Sequence, residues 1–196
     1  MGISSVDMEV FNSVTCIINS AAAISFTLPI KDAIANNCTG VVELLKIIKE
    51  YPNIIAYKQI STCYVFSQTD ANNKFNPCGS VEAPLHVLPK YKDLTNFQIY
   101  KLGTIGKLEL NTDKYQNTYC FTKSLSEQLI KDFSDLKSSD CSIEILRPSI
   151  VSGSINCPYE GWVSNLAALT GFLTAQKLDM VTDTLTNSRS FVDVIP

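Results

Sequence analysis

The sequence is poor in the residues that most often carry chemistry by themselves. It holds one histidine, His86, in 196 residues. That excludes multi-histidine metal sites and leaves a Ser–His–acid triad without support. Arginine occurs twice, at Arg147 and Arg189, and the formal net charge is −3. A chain of this charge is a poor ligand for a phosphate backbone, so no nucleic-acid partner is expected. The best apolar stretches, 14–24 and 163–175, are interrupted by Asn, Ser and Thr. Neither reaches the ~18 apolar residues of a membrane span. The 7 cysteines stand at 16, 38, 63, 78, 120, 141 and 157, with no CxxC or other metal spacing. They read as buried thiols in a reducing compartment. Asp7 and Glu9 sit in an N-terminal stretch without Lys or Arg, unlike a secretory signal. Val6 stands where N-myristoylation needs a hydroxyl, and the sequon Asn37-Cys38-Thr39 is inert without secretion. The chain is expected to be cytoplasmic.

What is present is enough for a packed core, with 45% hydrophobic and 18% charged residues. Residues 14–18 read as a buried strand ending in the small-residue turn Asn19-Ser20-Ala21-Ala22. Pro29 marks a helix start, and Ile30, Ile34, Cys38, Val41, Val42, Leu45 and Ile48 fall on one helical stripe. Tyr51-Pro52-Asn53 ends it. Residues 54–60 form the next strand, with Ser61-Thr62 at its carboxyl end. Residues 67–89 read as a surface excursion, and 90–113 stay ambiguous. A helix is expected over 117–136, with Phe121, Leu125, Leu129 and Leu136 on one stripe, then a strand over 142–146. Beyond Ser152 the chain looks looser, and another apolar run begins at Phe191. Strand, helix, strand, helix, strand indicates an α/β fold. Its expected form is a partial Rossmann-like, doubly wound parallel sheet with helices on both faces. The expected division is a nucleotide-binding part over 1–151 and the start of a substrate-binding segment over 152–196.

Tyr119 and Lys123 form a YxxxK pair. On a helix, positions i and i+4 share a face, so phenol and ammonium become neighbours. The cation is expected to favour phenolate and lower the tyrosine pKa. Such a phenol can donate a proton to a carbonyl oxygen as hydride reaches the carbon. Composition alone produces about 0.6 such pairs by chance, so the surroundings decide its weight. Ser61 and Thr62 end a strand at the sheet edge where ligands bind, and a hydroxyl there can hold a carbonyl oxygen. His86 reads as a loop residue, Tyr64 and Phe66 as core, and Trp162 as a packing aromatic or the border of a pocket.

Eight motifs then occur in order: Ser20-Ala21-Ala22, Asn37-x-x-Gly40, Ser61-Thr62-x-Tyr64-Val65, Asn117-Thr118-Tyr119-x-x-Thr122-Lys123 followed by Glu127, Arg147-Pro148-Ser149-Ile150-Val151, Gly161-Trp162 and Asp193-x-Ile195-Pro196. Together they resemble the NAD(P)-binding domain of fatty acyl-CoA reductases, the male-sterility branch of the extended short-chain dehydrogenase/reductases. The resemblance implies Tyr119 as proton donor and Lys123 as holder of the nicotinamide ribose. It implies Thr62, or less readily Ser61, as the group on the carbonyl oxygen, with Asn37 supporting the proton relay. Ala21 and Ala22 would lie along the dinucleotide, with Pro148 and Ser149 near the nicotinamide. NADPH would be the cofactor, and a long-chain acyl-CoA or a carrier-bound acyl thioester the substrate, reduced to aldehyde or alcohol.

The family's front strand and glycine-rich turn have no counterpart before residue 14. The 8 glycines lie at 2, 40, 79, 103, 106, 153, 161 and 171. Gly103 and Gly106 come late and follow no strand, so they do not read as a phosphate loop. If residues 14–18 are the family's fourth strand, their inner neighbour is missing and an apolar strand becomes an edge open to self-association. The expectation is a truncated reductase that neither folds robustly nor holds NADPH well alone. A reductive-release domain of a polyketide synthase, a sugar epimerase and a non-catalytic remnant are the other readings.

Overall fold

The computed structural model describes residues 7–66, 83–135, 140–164, 166, 168–183 and 194–196. Gly2, Val6, Cys78, Gly79, Leu136, Arg189, Asp193 and the 67–82 part of the expected excursion lie outside the described residues. The chain packs as two compact units, one through Arg147 and one from Pro148 onward.

In the first unit, β1 (Cys16–Asn19), β2 (Ala56–Ile60) and β3 (Ser142–Leu146) form one parallel sheet in the order β1-β2-β3. Asn19 stands opposite Gln59, and Gln59 opposite Ile145, so the three carboxyl ends are level. The first strand starts two residues later than its apolar run, because Val14 packs below the sheet while its carbonyl accepts from Asn53 Nδ2 at 2.7 Å.

The crossover from β1 to β2 carries α1 (Ile30–Asn37) and α2 (Thr39–Glu50). The expected stripe is buried at Ile34, Cys38, Val41, Leu45 and Ile48. The helix is not continuous, however. It breaks at Cys38 (φ −112°, ψ −37°), where the Asn37 carbonyl accepts a hydrogen bond from Ser126 Oγ at 2.9 Å. The crossover from β2 to β3 carries α3 (Asn96–Thr104) and α4 (Thr118–Asp135). The ambiguous 90–113 segment thus contains a helix, started by a capping box in which Gln98 N donates to Thr95 Oγ1 at 3.2 Å and Thr95 N to Gln98 Oε1 at 2.8 Å. Gly103 lets α3 lie against α1, since a Cβ there would fall 2.0 Å from Ile34 Cδ1.

Two apolar clusters hold these layers. Val41, Leu45, Ile48, Tyr57 and Ile130 pack helices α2 and α4 on the sheet. Ile34, Ile99, Tyr100, Phe121, Leu125 and Leu129 pack the helices on one another. Helix α4 is therefore buried on several sides, and its polar residues must find partners inside the protein.

Among the described residues of the first unit, the helices that pack on the sheet, α2 and α4, cover one face, where the alternation of elements led one to expect both. The other face exposes Ile18 at 64% and Leu146 at 44%, with a Lys58–Glu144 ion pair at 2.6 Å between them. The reason is topological. Right-handed crossovers that advance in one direction place every helix on the same side. The side changes only where strand order reverses, and these three strands advance one way.

In the second unit, β4 (Ile150–Val151) pairs in parallel with β5 (Val194–Ile195). A loop closes through Ser154 N on Trp162 O at 2.9 Å and Gly161 N on Ser154 O at 2.8 Å. Gly161 takes the left-handed φ of +76° this closure needs. Helix α5 (Ala168–Lys177) lies where the sequence reads as loose, because Gly161, Thr170 and Gly171 mask its helix formers. Cys38, Cys120 and Cys141 are buried as expected, whereas Cys16 and Cys157 are exposed.

Leu125 is fully buried in α4, whereas Ile105 stands 60% exposed. Leu125→Ala should lower the free energy of unfolding by about 2–5 kcal/mol, and Ile105→Ala by about 0.5 kcal/mol or less. Urea denaturation of the two variants checks the contrast.

Candidate functional site

The site forms where the level strand ends release three segments. One follows β1, one follows β2, and one begins at Arg147 after β3. Helix α4 lies across them. Asn117 caps its start, accepting from Cys120 N at 2.9 Å. From that cap, Tyr119, Lys123 and Glu127 follow at i, i+4 and i+8, one stripe facing the end of β2.

Each residue of the stripe has its own contact there. Tyr119 has its phenol close enough to Thr62 for that side chain to act on its titration. Lys123 is 4% exposed, and its Nζ donates to the Ile60 carbonyl at 3.0 Å. Glu127 is 3% exposed and accepts a short hydrogen bond from Ser61 Oγ. Ser61 N also donates to Leu146 O at 2.7 Å, extending the β2–β3 ladder past the strand proper. Arg147 completes the group, with Nη2 on Glu127 Oε2 at 2.7 Å and Nε on Oε1 at 3.0 Å. Its guanidinium lies 4.8 Å from the centre of the Phe66 ring.

The sequence expectation for the tyrosine is reversed. Burial pushes the Tyr119 phenol above its ordinary value, and Thr62 offsets part of that rise. Burial likewise holds the Lys123 ammonium below its ordinary value, opposed by the nearby Cys38 and Glu127. The ammonium is turned to the Ile60 carbonyl and lies 5.9 Å from the Tyr119 ring centre. At that placement, removal from water outweighs attraction.

Asn37 lies in the last turn of α1 as a clamp. Its Oδ1 accepts from Ala23 N at 2.7 Å, and its Nδ2 donates to Ala23 O at 3.1 Å and to Thr122 Oγ1 at 3.0 Å. It therefore ties the segment after β1 to α4, one residue before Lys123. Both its amide and its carbonyl are engaged by protein groups, the carbonyl by Ser126 Oγ. The buried sequon asparagine offers no group to a glycan. Ala21 follows β1 with its N–H on Asn19 Oδ1 at 3.3 Å. Asn19 in turn donates to Gln59 Oε1 at 3.0 Å, which also accepts the Tyr57 hydroxyl at 2.5 Å. Ala22 lies between these two anchored points.

The structure thus gathers Ser61, Thr62, Tyr119, Lys123 and Asn37 around the first unit's strand ends. Ser61 and Thr62 differ in availability. Ser61 is consumed by Glu127, while Thr62 reaches the phenol. Pro148 and Ser149 open the second unit, just before β4. Sequence reasoning left Glu127 and Arg147 without a role; the extra i+4 step from Lys123 to Glu127 was the available signal.

The architecture is that of a Rossmann-type nucleotide-binding domain. A family described as Male sterility protein matches residues 1–196, and the chain belongs to it. It is 29% identical over 197 residues to fatty acyl-CoA reductase 2 of Homo sapiens, covering 99% of this chain and 36% of that protein. It is 28% identical over 190 residues to fatty acyl-CoA reductase 2 of Mus musculus, covering 96% of this chain and 35% of that protein. The chain thus spans about a third of the length of these relatives. Among solved structures, the terminal R domain from the myxalamid PKS-NRPS pathway shares the fold, with TM-score 0.55 and 18% identity over 88% of this chain and 35% of that one. A UDP-glucose-4-epimerase from Stenotrophomonas maltophila shares it at TM-score 0.57 and 14% identity, over 90% of this chain and 46% of that one. No helix among the described residues is long and apolar enough to cross a membrane.

Two outcomes follow from these contacts. Asn37→Ala should destabilise the first unit by about 1–3 kcal/mol, because it strands the Ala23 backbone groups. It should also speed amide exchange at Ala23, read by NMR. Tyr57 sits at about 12, raised by burial. A raised folded pKa gives stability that is full below the unfolded value of 10.0 and lost as pH climbs towards about 12. Tyr57→Phe should therefore flatten the fall of the unfolding free energy from urea titrations between pH 10 and 12, by up to ~1.4 kcal/mol per pH unit.

Proposed function

We propose that this chain supplies the catalytic edge of an NADPH-dependent acyl-thioester reductase acting on a long-chain acyl-CoA. The observation that carries the reading is the Tyr119–Lys123 pair, its ammonium 5.9 Å from the centre of the phenol ring and bonded to the Ile60 carbonyl at the carboxyl edge of a parallel sheet, two residues before Thr62. The names of the matched relatives support acyl-CoA as the thioester.

The residues fit one end of the cofactor. An ammonium has three donors, and Lys123 spends one on Ile60 O. The other two are available to ribose hydroxyls. Ala21 and Ala22 are small enough for a ring to approach their backbone, and Asn37 holds the neighbouring Ala23 in place. Among the described residues no glycine-rich turn opens a helix, the usual seat of a pyrophosphate. Pro148 and Ser149 are assigned beside the nicotinamide in this reading.

NADPH, when bound, supplies hydride. The chain's own groups act on the oxygen. Thr62 donates to the thioester carbonyl oxygen, and Tyr119 passes its proton to that oxygen as negative charge develops. A phenol held above its ordinary pKa is protonated across the neutral range, the state a donor needs. Expulsion of the thiol leaves an aldehyde, which the same donors can serve in a second reduction to alcohol. Ser61 and Asn37 act on this site through structure, the first by its bond to Glu127 and the second by its clamp on Ala23.

The test is oxidation of NADPH with palmitoyl-CoA, a carrier-bound acyl thioester and NADH as comparisons, in protein made from the complete reading frame. Tyr119→Phe should lower kcat by about 10²–10⁴-fold. Lys123→Ala should lower kcat and weaken NADPH binding measured by fluorescence. Wild-type rates in both variants would remove these residues from the mechanism.

A further inference from the structure

The buried carboxylate of Glu127 has no part in the chemistry just described, yet from α4 it touches the ends of both β2 and β3. It lies one turn after Lys123 on α4 and accepts from Ser61 at the end of β2. It also accepts two hydrogen bonds from Arg147 at the end of β3. A buried ion pair is a poor source of stability, because desolvation offsets most of its attraction. What the pair does supply is fixed direction, since a guanidinium fork and a carboxylate meet in one plane.

That direction matters because of what lies on either side of Ser61. The residue before it, Ile60, presents the carbonyl that orients Lys123. The residue after it, Thr62, presents the hydroxyl that meets Tyr119. Ser61 is held at its N–H by Leu146 and at its Oγ by Glu127. With both fixed, the peptide planes to either side are set. The same carboxylate is the fixed negative group nearest in sequence to Lys123 on its own helix. The other titratable groups around Lys123 and its phenol partner are Cys38 at the α1–α2 break, Tyr119 and Cys120 on α4, and Cys63 after β2. Arg147, the one further cation here, is turned to Glu127.

We propose that Glu127, oriented by Arg147, is a positioning residue of the reductase site. It sets the Ile60–Ser61–Thr62 backbone through Ser61 and places a carboxylate one helical turn after Lys123. The proposal rests on the reductase reading above. It assigns Glu127 and Arg147 no contact with substrate or cofactor.

The test uses Glu127→Gln, which keeps an acceptor for Ser61 but removes the charge, and Ser61→Ala, which keeps the ion pair but removes the link to β2. Both are made in the full reading frame. The readouts are kcat and KM separately, the pH profile of kcat, thermal melting, and titration of the Lys123 ¹³Cε resonance in ligand-free protein, assigned with Lys123→Arg. Ser61→Ala should lower kcat about 10²-fold with KM little changed, as a small misplacement of reacting groups does, and leave the Lys123 titration where it was. Glu127→Gln should move the Lys123 titration and the alkaline limb of the profile to lower pH. A purely structural ion pair would lower the melting temperature and leave kcat and the titration unmoved, and that result overturns the proposal. Should Glu127→Gln not fold, Ser61→Ala decides by its kcat: a wild-type value overturns the proposal and a lowered one upholds it. Should wild-type protein reduce no thioester, the reductase reading fails by itself. The ligand-free Lys123 titration then decides the charge role, and an unmoved resonance overturns it.

Discussion

Three side chains spaced one helical turn apart meet three consecutive residues of a strand end, and the site depends on that match. Tyr119 meets Thr62, Lys123 meets the Ile60 carbonyl, and Glu127 meets Ser61. A helix rises about 6 Å over four residues, while a strand advances about 3.3 Å per residue. The partners run Thr62, Ile60 and Ser61 along the helix, so the contacts gather as a cluster at the strand end and not as a ladder in step with it. Helix α4 is held from behind by apolar contacts, with Leu125 and Leu129 in the cluster between helices and Ile130 in the cluster on the sheet. Packing chooses the angle, and the polar stripe fixes the rotation about it.

The one-sided sheet explains why the site is so densely braced. Among the described residues, the face that carries Ile18 and Leu146 leaves both exposed. The bracing comes instead from cross-links between elements. Asn37 joins α1 to the segment after β1 and to α4, Ser126 joins α4 to the helix break, and Arg147 joins the end of β3 to α4. These groups are buried and satisfied, so each link resists rotation more than a hydrophobic contact of the same size would.

The fold was largely legible because its elements carry strong local signals. The strand at 142–146 and the stripe Phe121, Leu125 and Leu129 stand where periodicity places them. Helix α3 was hidden because nine residues hold too few apolar positions to show a period, although Thr95 and Gln98 wrote its capping box in the sequence. The break at Cys38 was illegible, since Ile34 to Ile48 keep their apolar spacing through it, and the partner that takes the freed carbonyl, Ser126, is 89 residues away. For the same reason the side chains at the site could be named but their contacts could not. The choice between Ser61 and Thr62 turns on Glu127, which no local pattern connects to either. The sequence also placed helices on both sheet faces, because alternation reports connectivity and not the direction in which strands are added.

The electrostatics decide which chemistry the Tyr–Lys pair favours. On an exposed helix, an ammonium four residues from a phenol would pull it towards phenolate, and the tyrosine would serve as a base. Here both groups are buried, and burial penalises each charged form, driving the phenol up and the ammonium down. The two shifts run in opposite directions, each against the charged form. Glu127 and Cys38 act on the ammonium in the opposite sense to burial, and Thr62 does so on the phenol. At neutral pH the phenol keeps its proton. In the proposed reading, a protonated phenol beside an ammonium serves as acid and anchor, which suits addition to a carbonyl better than removal of a proton from an alcohol.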